Sequence, residues 1–217
     1  MTTFFTSDLH IGHRFVAGLR GFKEEDERLG LVKHTMAIRN AWCSVVKPDD
    51  IVWILGDVSI SERTWKEALL VIKDYLPGRK RLVAGNHDPV ASFHREAWRH
   101  QRAALDVFET VQDYAMVSLA GQKVLLSHYP YSGRGAEGLR NYDGTQMEER
   151  YTEFRLADCG RTLLHGHTHG PEKLHFSDRG TPQVHVGLDA WGMRPVPAHE
   201  IEKLLLDATV GSAKVDA

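Results

Sequence analysis

The architecture of this chain is most evident in residues 81–88, which read Arg81-Leu82-Val83-Ala84-Gly85-Asn86-His87-Asp88. A short apolar run stops at a glycine, and three polar side chains follow at once. An apolar run of this length that is bounded by a turn signal is typical of a buried strand. Because open α/β sheets bind their ligands at the carboxyl ends of their strands, these polar residues are predicted to lie in a functional site.

The same pattern recurs along the chain, since other apolar runs also lead directly to acidic or imidazole side chains. The run 3–6 leads to Asp8, the run 51–55 to Asp57, the run 123–127 to His128, and the run 161–164 to His165-Gly166-His167-Thr168-His169. Further strands are predicted at residues 111–119, paired with 123–127, and at 183–186. Helical spacing predicts helices over 31–46, 65–76, 89 to about 104, and 199–206. Strands that alternate with helices in this way predict an α/β domain.

The polar residues at these strand ends form a set of metal donors. Imidazole and carboxylate donors without cysteine suit first-row divalent metals such as Mn, Fe, Ni or Zn. The donors are too many for one such ion, and with one bridging carboxylate they supply two sites of four. They are Asp8, His10, Asp57, Asn86, His128, His167 and His169.

The spacing of two donor pairs suggests how they share the ions. Alternate residues of a strand point to one side, so Asp8 and His10 are expected to reach one metal together. The same holds for His167 and His169, unless a turn splits them between two metals. Two divalent ions and a bridging hydroxide would leave the site with a charge of about +1, which attracts a phosphate ester.

The ordered set Asp8-x-His10, Gly56-Asp57, Gly85–Asp88, a lone histidine and Gly166-His167-Thr168-His169 resembles the calcineurin-like metallophosphoesterase superfamily. The stretch 186–196 looks like the tail of its small bacterial and phage members. The resemblance implies a four-layer α-β-β-α sandwich with two stacked mixed sheets.

The resemblance also implies roles for individual residues. One metal would be held by Asp8, His10, Asp57 and His169, and the other by Asp57, Asn86, His128 and His167. His87 would act as the general acid, with Asp88 as the carboxylate that orients it. An alternative for Asp88 is the cap of a helix that begins near Pro89.

The activity implied by the resemblance is hydrolysis of a phosphoester by a metal-bridging hydroxide. Our first expectation is a phosphodiesterase that acts on small nucleotides such as 2′,3′-cyclic nucleotides. A phosphomonoesterase is the alternative within the same chemistry. A catalytically silent scaffold that binds proteins is the alternative from another class, although such scaffolds tend to lose the general acid that His87 supplies here. Two divalent ions are expected as cofactors, manganese first, with iron, zinc or nickel as alternatives.

Several residues beside the donors are candidates for contact with the substrate. His13, Arg14 and His165 lie next to donors in the sequence, and a packing or surface role is the alternative for each. Arg134 and Arg140 lie in a Gly-rich segment and could meet a phosphate, although a solvated side chain is the simpler interpretation. Trp42, Trp65 and Trp98 fall at helical spacings and are predicted to be core residues.

Bulk composition limits the remaining possibilities. The 217 residues fit a single domain, 1–217, with an active-site loop at 131–147 and a mobile tail at 208–217. A net charge of −2 argues against a protein that binds long nucleic acid through its phosphates. The partner that the resemblance implies is a small phosphoester or nucleotide substrate. No run approaches the roughly 20 apolar residues of a membrane span, and no signal peptide is evident. We therefore expect a cytoplasmic protein without a membrane partner; the oligomeric state stays open, a homodimer included.

Overall fold

The computed structural model describes residues 1–131 and 151–213, with side chains as far as residue 208. From residue 132 onward, the expected active-site loop lies outside the described residues, as do Arg134 and Arg140. Within the expected tail, the backbone is described to residue 213. Among the described residues no helix is long and apolar enough to cross a membrane.

Two five-stranded sheets form the centre of the molecule. The first has the order β10-β1-β2-β3-β4, with neighbours parallel except at β10. Its strands are β1 (Thr3–Thr6), β2 (Ile51–Ile54), β3 (Arg79–Val83), β4 (Val111–Gln112) and β10 (Val196–Pro197). The order places the carboxyl ends of β1, β2 and β3 side by side at one edge.

The second sheet is mixed and has the order β5-β6-β7-β9-β8. Strands β6, β7 and β9 are parallel to one another, while β5 and β8 run antiparallel to their neighbours. Its strands are β5 (Tyr114–Leu119), β6 (Gln122–Ser127), β7 (Leu163–His165), β8 (Leu174–Phe176) and β9 (Pro182–His185). A bridge between Ser7 and Gly187 joins the segments that follow β1 and β9.

Five α-helices accompany the sheets in the described part of the chain. They are α1 (Arg14–Leu19), α2 (Glu27–Cys43), α3 (Glu62–Tyr75), α4 (Gln101–Leu105) and α5 (Ala198–Ala213). Helices α2, α3 and α4 send buried side chains such as Trp42, Trp65 and Ala104 into one core with the first sheet. Helix α5 contributes Ile201 to the core between the two sheets.

Alternation along the central strands divides their side chains between two cores. Val52 and Ile54 of β2 pack against the helices, whereas Trp53 and the following Leu55 pack between the sheets. Successive strand residues point to opposite faces, so a continuous apolar run serves both cores at once. The expected α/β architecture with two mixed sheets and flanking helices is confirmed.

Three local predictions are wrong. The expected helix over residues 89–104 is instead irregular chain, a short 3₁₀ turn at Ala97–Arg99 and the five residues of α4. The expected strand over 111–119 is two strands, since β4 pairs in the first sheet and β5 in the second. Trp98 is not a core residue, because 70% of its surface is exposed; Trp42 and Trp65 are buried as predicted.

Candidate metal centre

The segments that follow β1, β2, β3, β6 and β7 lie close together at the carboxyl ends of these strands. Backbone hydrogen bonds tie them together: the amide of Asp8 donates to the carbonyl of Gly56 at 2.9 Å, and the amide of Gly166 donates to the carbonyl of His128 at 2.9 Å. The first bond links the ends of β1 and β2, and the second links the ends of β6 and β7. The strand order of both sheets therefore brings the predicted donors into one place.

The first donor cluster consists of Asp8, His10 and His169. One ligand atom from each residue lies within 4.8 Å of the others. The Nε2 atoms of His10 and His169 are 3.0 Å apart, and Nε2 of His169 is 3.8 Å from Oδ1 of Asp8. Asp8 is fully buried and His10 nearly so.

The second donor cluster consists of Asp57, His128 and His167, which satisfy the same distance limit. Nε2 of His128 is 3.2 Å from Nδ1 of His167 and 3.1 Å from Oδ1 of Asn86. The other ring nitrogen of His128 lies 2.8 Å from the carbonyl of Leu55. Because only an N–H can donate to that carbonyl, Nε2 of His128 is left as the ligand atom.

Asp57 stands between the two clusters. Its Oδ2 is 3.4 Å from Nε2 of His128 and 3.7 Å from Nε2 of His10. One carboxylate oxygen thus faces both donor sets, which is the position that a bridging ligand requires. Its other oxygen accepts a hydrogen bond from the backbone amide of His87 at 2.9 Å, so the side chain is held in place.

The backbone around these donors is unusual. Asp8, His10, Asp57, His167 and His169 all have φ between +47° and +71°, a region that residues other than glycine rarely adopt and that clusters at functional sites. Asp8 and His10 lie in one cluster as expected, although the left-handed turns and not strand alternation bring them together, since both residues follow the end of β1. His167 and His169 lie in different clusters, which agrees with the alternative that a turn splits them.

Two glycines are needed for the close approach of the chain segments. Gly56 has φ of +89°, and a Cβ there would lie 2.6 Å from the backbone nitrogen of Gly85. A Cβ on Gly85 would lie 2.4 Å from Oδ1 of Asp57. Any larger residue at either position would displace the segments that carry the donors.

The donor set fits divalent cations. The facing ring nitrogens in the two clusters are 3.0 and 3.2 Å apart. Two metal–nitrogen bonds of about 2.1 Å that meet at a right angle on one ion place the nitrogens about this far apart. Burial lowers the pKa of both His10 and His167 well below the usual range. Ligation requires neutral imidazole, so these rings have the correct charge state.

The carboxylates also suit a cation. Burial opposes ionisation of Asp57, but His128, His10 and His87 together hold its pKa well below the usual value. Burial likewise opposes the charged form of His128, yet Asp57 and Asp8 raise the pKa of that ring to about 9. The two carboxylates therefore attract positive charge to the point where the donors converge.

Comparison with known proteins agrees with this geometry. Residues 1–187 match the sequence family described as the calcineurin-like phosphoesterase superfamily domain. The chain belongs to this family. The gene 66 protein of Mycobacterium phage L5 is 43% identical over 213 residues, which cover 94% of this chain and 93% of the phage protein.

Two further relatives extend the comparison. The gene 66 protein of Mycobacterium phage D29 is 40% identical, over 95% of this chain and 97% of that protein. The crystal structure of protein AQ665 from Aquifex aeolicus aligns with a TM-score of 0.61 at 23% identity, covering 94% of this chain and 98% of that one. This structural likeness shows that the two chains share a fold.

His87 lies beside both clusters and belongs to neither. Its ring centroid is 5.5 Å from that of His10 and 6.3 Å from that of His13. His87 is half-buried, whereas the donors Asp57 and Asn86 are buried. The chain therefore presents an imidazole ring at the edge of the two donor clusters.

Asp88 does not make the contact expected of it. Its buried carboxylate accepts hydrogen bonds from the backbone amides of Asp57, Val58 and Gly85 at 2.9, 3.0 and 2.9 Å. These three bonds use three of the roughly four acceptor positions of the carboxylate, and the described contacts contain no bond from the ring of His87. Burial and the charge of Asp57 raise the pKa of Asp88 to about 7. The expected orienting role is thus corrected: Asp88 fastens the turn after β2 to the turn after β3.

The three expected substrate contacts have different surroundings. Nδ1 of His13 accepts a hydrogen bond from the backbone amide of Val16 at 3.0 Å and so caps α1. The ring centroid of His13 lies 5.1 Å from that of His10. The side chain of Arg14 is 72% exposed and pairs with Glu27 at 2.7 Å. His165 is fully buried in β7, so the expectation that it touches substrate is wrong.

Sequence reasoning did not find the support for His169. Its Nδ1 lies 3.0 Å from Oδ2 of Asp189, and Arg20 binds both oxygens of Asp189 at 2.8 and 2.7 Å. Arg20 also donates to the backbone carbonyl of Asp8 at 2.8 Å. Such carboxylate–histidine pairs orient metal ligands. Arg20 and Asp189 are 169 positions apart, so no local pattern connects them.

Proposed function

We propose that this protein is a metal-dependent phosphodiesterase that acts on small nucleotides such as 2′,3′-cyclic nucleotides. The observation that carries the proposal is the arrangement of two Asp/His clusters around Asp57, with His87 beside them and outside both. Hydrolysis of a phosphoester needs cations at the phosphate and a proton for the leaving oxygen, and this site offers groups for both.

The distances support a set of ligands for each of the two ions. Asp8, His10 and His169 would hold one ion, and Asn86, His128 and His167 the other, with Asp57 between them. Bound divalent ions would neutralise the phosphate and make a nucleophile available from water at neutral pH. Asp189 and Arg20 hold His169 in the orientation that ligation requires.

His87 supplies the proton in this proposal. As a hydroxide derived from water bonds to phosphorus, the bond from phosphorus to the leaving oxygen breaks and the ring of His87 gives its proton to that oxygen. The proton that the water released passes to solvent, and solvent returns a proton to the ring. The backbone amide of His87 is anchored on Asp57, which keeps the ring at the edge of the clusters. A general acid contributes roughly 10²–10⁴-fold to the rate. His87→Ala should lose about that factor, most for poor leaving groups, and should keep its affinity for metal.

Aromatic rings on two sides of the clusters support a nucleotide as substrate. On one side Phe15 is 70% exposed and its ring lies 6.5 Å from that of His13. On the other side the half-buried ring of Tyr151 lies 5.9 Å from that of His167 and packs on the buried ring of Tyr129 at 5.6 Å. Stacking on an aromatic ring stabilises a bound base by about 1–3 kcal/mol.

Charge supports a small substrate over long nucleic acid, because the net charge of −2 provides no general attraction for a polyanion. A cytoplasmic protein that processes soluble nucleotides is the simplest setting for this proposal. Manganese is our first choice of metal; iron, zinc and nickel also suit imidazole and carboxylate donors.

The proposal is tested with bis-p-nitrophenyl phosphate beside p-nitrophenyl phosphate, using protein stripped by chelation and reloaded with Mn²⁺. Cleavage of the diester should return with metal and should be lost in Asn86→Ala, which removes one donor of the second cluster. The next substrates would then be 2′,3′-cyclic nucleotides. Cleavage of the monoester alone would make the protein a phosphomonoesterase. No cleavage with any of several metals would reject a hydrolytic role for these substrates.

A further inference from the structure

His13 places a second imidazole ring next to the donor clusters, beside that of His87. The ring centroid of His13 lies 5.1 Å from that of His10, a donor of the first cluster, and 6.3 Å from that of His87. The centroids of His10 and His87 are 5.5 Å apart, so the three rings form a triangle with sides of similar length. His13 is half-buried and belongs to neither donor cluster.

The hydrogen bond that caps α1 fixes the tautomer of this ring. The backbone amide of Val16 donates to Nδ1 of His13 at 3.0 Å, and Nδ1 can accept this bond only through its lone pair. A histidine ring with a lone pair on one nitrogen is neutral and carries its proton on the other nitrogen. The proton of His13 is therefore on Nε2 while the cap is intact.

The same bond excludes His13 as an acid or a base. Loss of the proton on Nε2 would leave an anionic ring, and a second proton could bind only at Nδ1, where it would break the cap. The ring of His13 can thus donate a hydrogen bond from Nε2 but does not transfer a proton. This separates it from His87, whose proposed role is to give up its proton.

The Nε2–H group of His13 is available to a ligand. Within residues 1–131 and 151–208, the ring makes no hydrogen bond or ion pair besides the cap. Because Nδ1 faces the first turn of α1, Nε2 lies on the side of the ring that faces away from this helix. A donor that is already held in place needs no reorganisation before it stabilises negative charge on an oxygen.

The distances allow His13 and His87 to serve one phosphoryl group. A hydrogen bond of about 2.9 Å lets an imidazole N–H reach an oxygen about 4 Å from the ring centroid. Two such reaches together exceed the 6.3 Å between the centroids of His13 and His87. The two rings can therefore donate to different oxygens of the same phosphorus.

We propose that His13 donates a hydrogen bond from Nε2 to a non-bridging oxygen of the substrate phosphate, while His87 protonates the leaving oxygen. The proposal rests on the proposed function, because it requires a phosphoester at the donor clusters. It makes His13 a catalytic residue with a fixed proton, and it assigns the two rings to different oxygens. The two rings should therefore differ in their response to the leaving group.

Two substitutions separate the donor from the cap. Asparagine places its amide oxygen where Nδ1 lies and is a favoured N-cap residue, but it is too short to place a donor at the position of Nε2. Glutamine places its amide nitrogen near the position of Nε2 and is not a favoured cap. His13→Asn should lower kcat/KM about 10- to 100-fold, the factor that corresponds to a hydrogen bond to a charged group, and should keep the midpoint of urea unfolding. His13→Gln should lower that midpoint and recover most of the lost activity.

The leaving group provides a second comparison. For the Mn²⁺-loaded protein, methyl p-nitrophenyl phosphate and methyl phenyl phosphate differ only in how readily the phenol departs. His13→Asn should lose the same factor with both diesters, whereas His87→Ala should lose more with the phenyl ester. Full activity in His13→Asn, or equal losses in His13→Asn and His13→Gln, would mean that His13 only caps α1 and would overturn the proposal.

A further readout needs neither metal nor turnover. In the metal-free protein at pH 8, the nitrogen NMR shifts of the His13 ring should be those of a protonated Nε2 and an unprotonated Nδ1. A proton on Nδ1 would overturn the proposal even if both diesters are cleaved. If the unsubstituted protein has the expected tautomer but cleaves neither diester, the proposed function fails and the role of His13 fails with it.

Discussion

Replacement of Asp88 by asparagine separates two roles for this residue. The structure gives its carboxylate three backbone partners, the amides of Asp57, Val58 and Gly85, whereas the motif alone suggested a partner of His87. Asp88→Asn keeps the size of the side chain, removes its charge and replaces one acceptor oxygen with an N–H₂ donor. If the structural contacts are its function, the change should affect folding first.

The expected cost follows from the three bonds. The asparagine oxygen can take the place of Oδ2, which serves Asp57 and Gly85, or of Oδ1, which serves Val58. At least one buried amide then faces a donor and stays unsatisfied, at a cost of about 1–3 kcal/mol. Asparagine also removes a negative charge that burial and Asp57 oppose, as the raised pKa of Asp88 indicates, and this gain offsets the loss of a charged acceptor. We therefore expect the unfolding free energy to fall by the cost of the unsatisfied amide, about 1–3 kcal/mol.

Urea unfolding of the metal-free protein at pH 8 measures this loss without any contribution from bound metal. Asp113→Asn is the matched control, because Oδ1 of Asp113 accepts one exposed amide, that of Ser92, at 3.2 Å, and it should change stability by less than about 1 kcal/mol. If Asp88→Asn unfolds like the unsubstituted protein but loses turnover as His87→Ala does, the structural argument is wrong and an orienting role for Asp88 is restored.

Three further changes have distinct expected outcomes. Asp189→Asn should weaken Mn²⁺ binding by about 10- to 100-fold, as expected when the partner of a ligating histidine is altered; calorimetry that shows unchanged affinity would mean that His169 needs no such partner. Trp98→Ala should change unfolding free energy by less than about 0.5 kcal/mol, whereas Trp42→Ala should cost about 3–5 kcal/mol, and equal effects in urea would contradict the observed burial. Burial and a neighbouring guanidinium lower the pKa of His34 to about 3, below its value of about 6.5 in an unfolded chain. As the pH drops below about 6.5 the unfolded chain binds the proton first, so the unfolding free energy falls by about 2 kcal/mol between pH 7 and pH 5 because of this ring. His34→Gln should remove that part of the pH dependence. Identical pH profiles for the variant and the unsubstituted protein would show that His34 titrates normally in the folded protein.

The sequence predicted the central strands well and their surroundings less well. The runs at residues 3–6 and 51–55 correspond to β1 and β2, because a strand that is covered on both faces carries few polar side chains. The run at 111–119 was predicted as one strand, since its local pattern does not show that the chain leaves one sheet at Asp113 and enters the other. Likewise, Trp98 has helical spacing but lies in a 3₁₀ turn at the surface.

What the sequence determined by itself is the chemistry of the site: the kinds of donor, their number, and their place after strand ends. Donor type is a property of the residue, and a glycine or a polar residue after an apolar run is visible in any window of the chain. The tertiary structure decided how the donors are shared. His167 and His169 are two positions apart, yet their left-handed backbone conformations send them to different clusters. Asp189 contacts His169 and is itself held by Arg20 from the other end of the chain. Asp88 binds the amides of a neighbouring turn. Such contacts depend on which strands lie side by side, and strand order is a property of the packed sheets that no local segment contains.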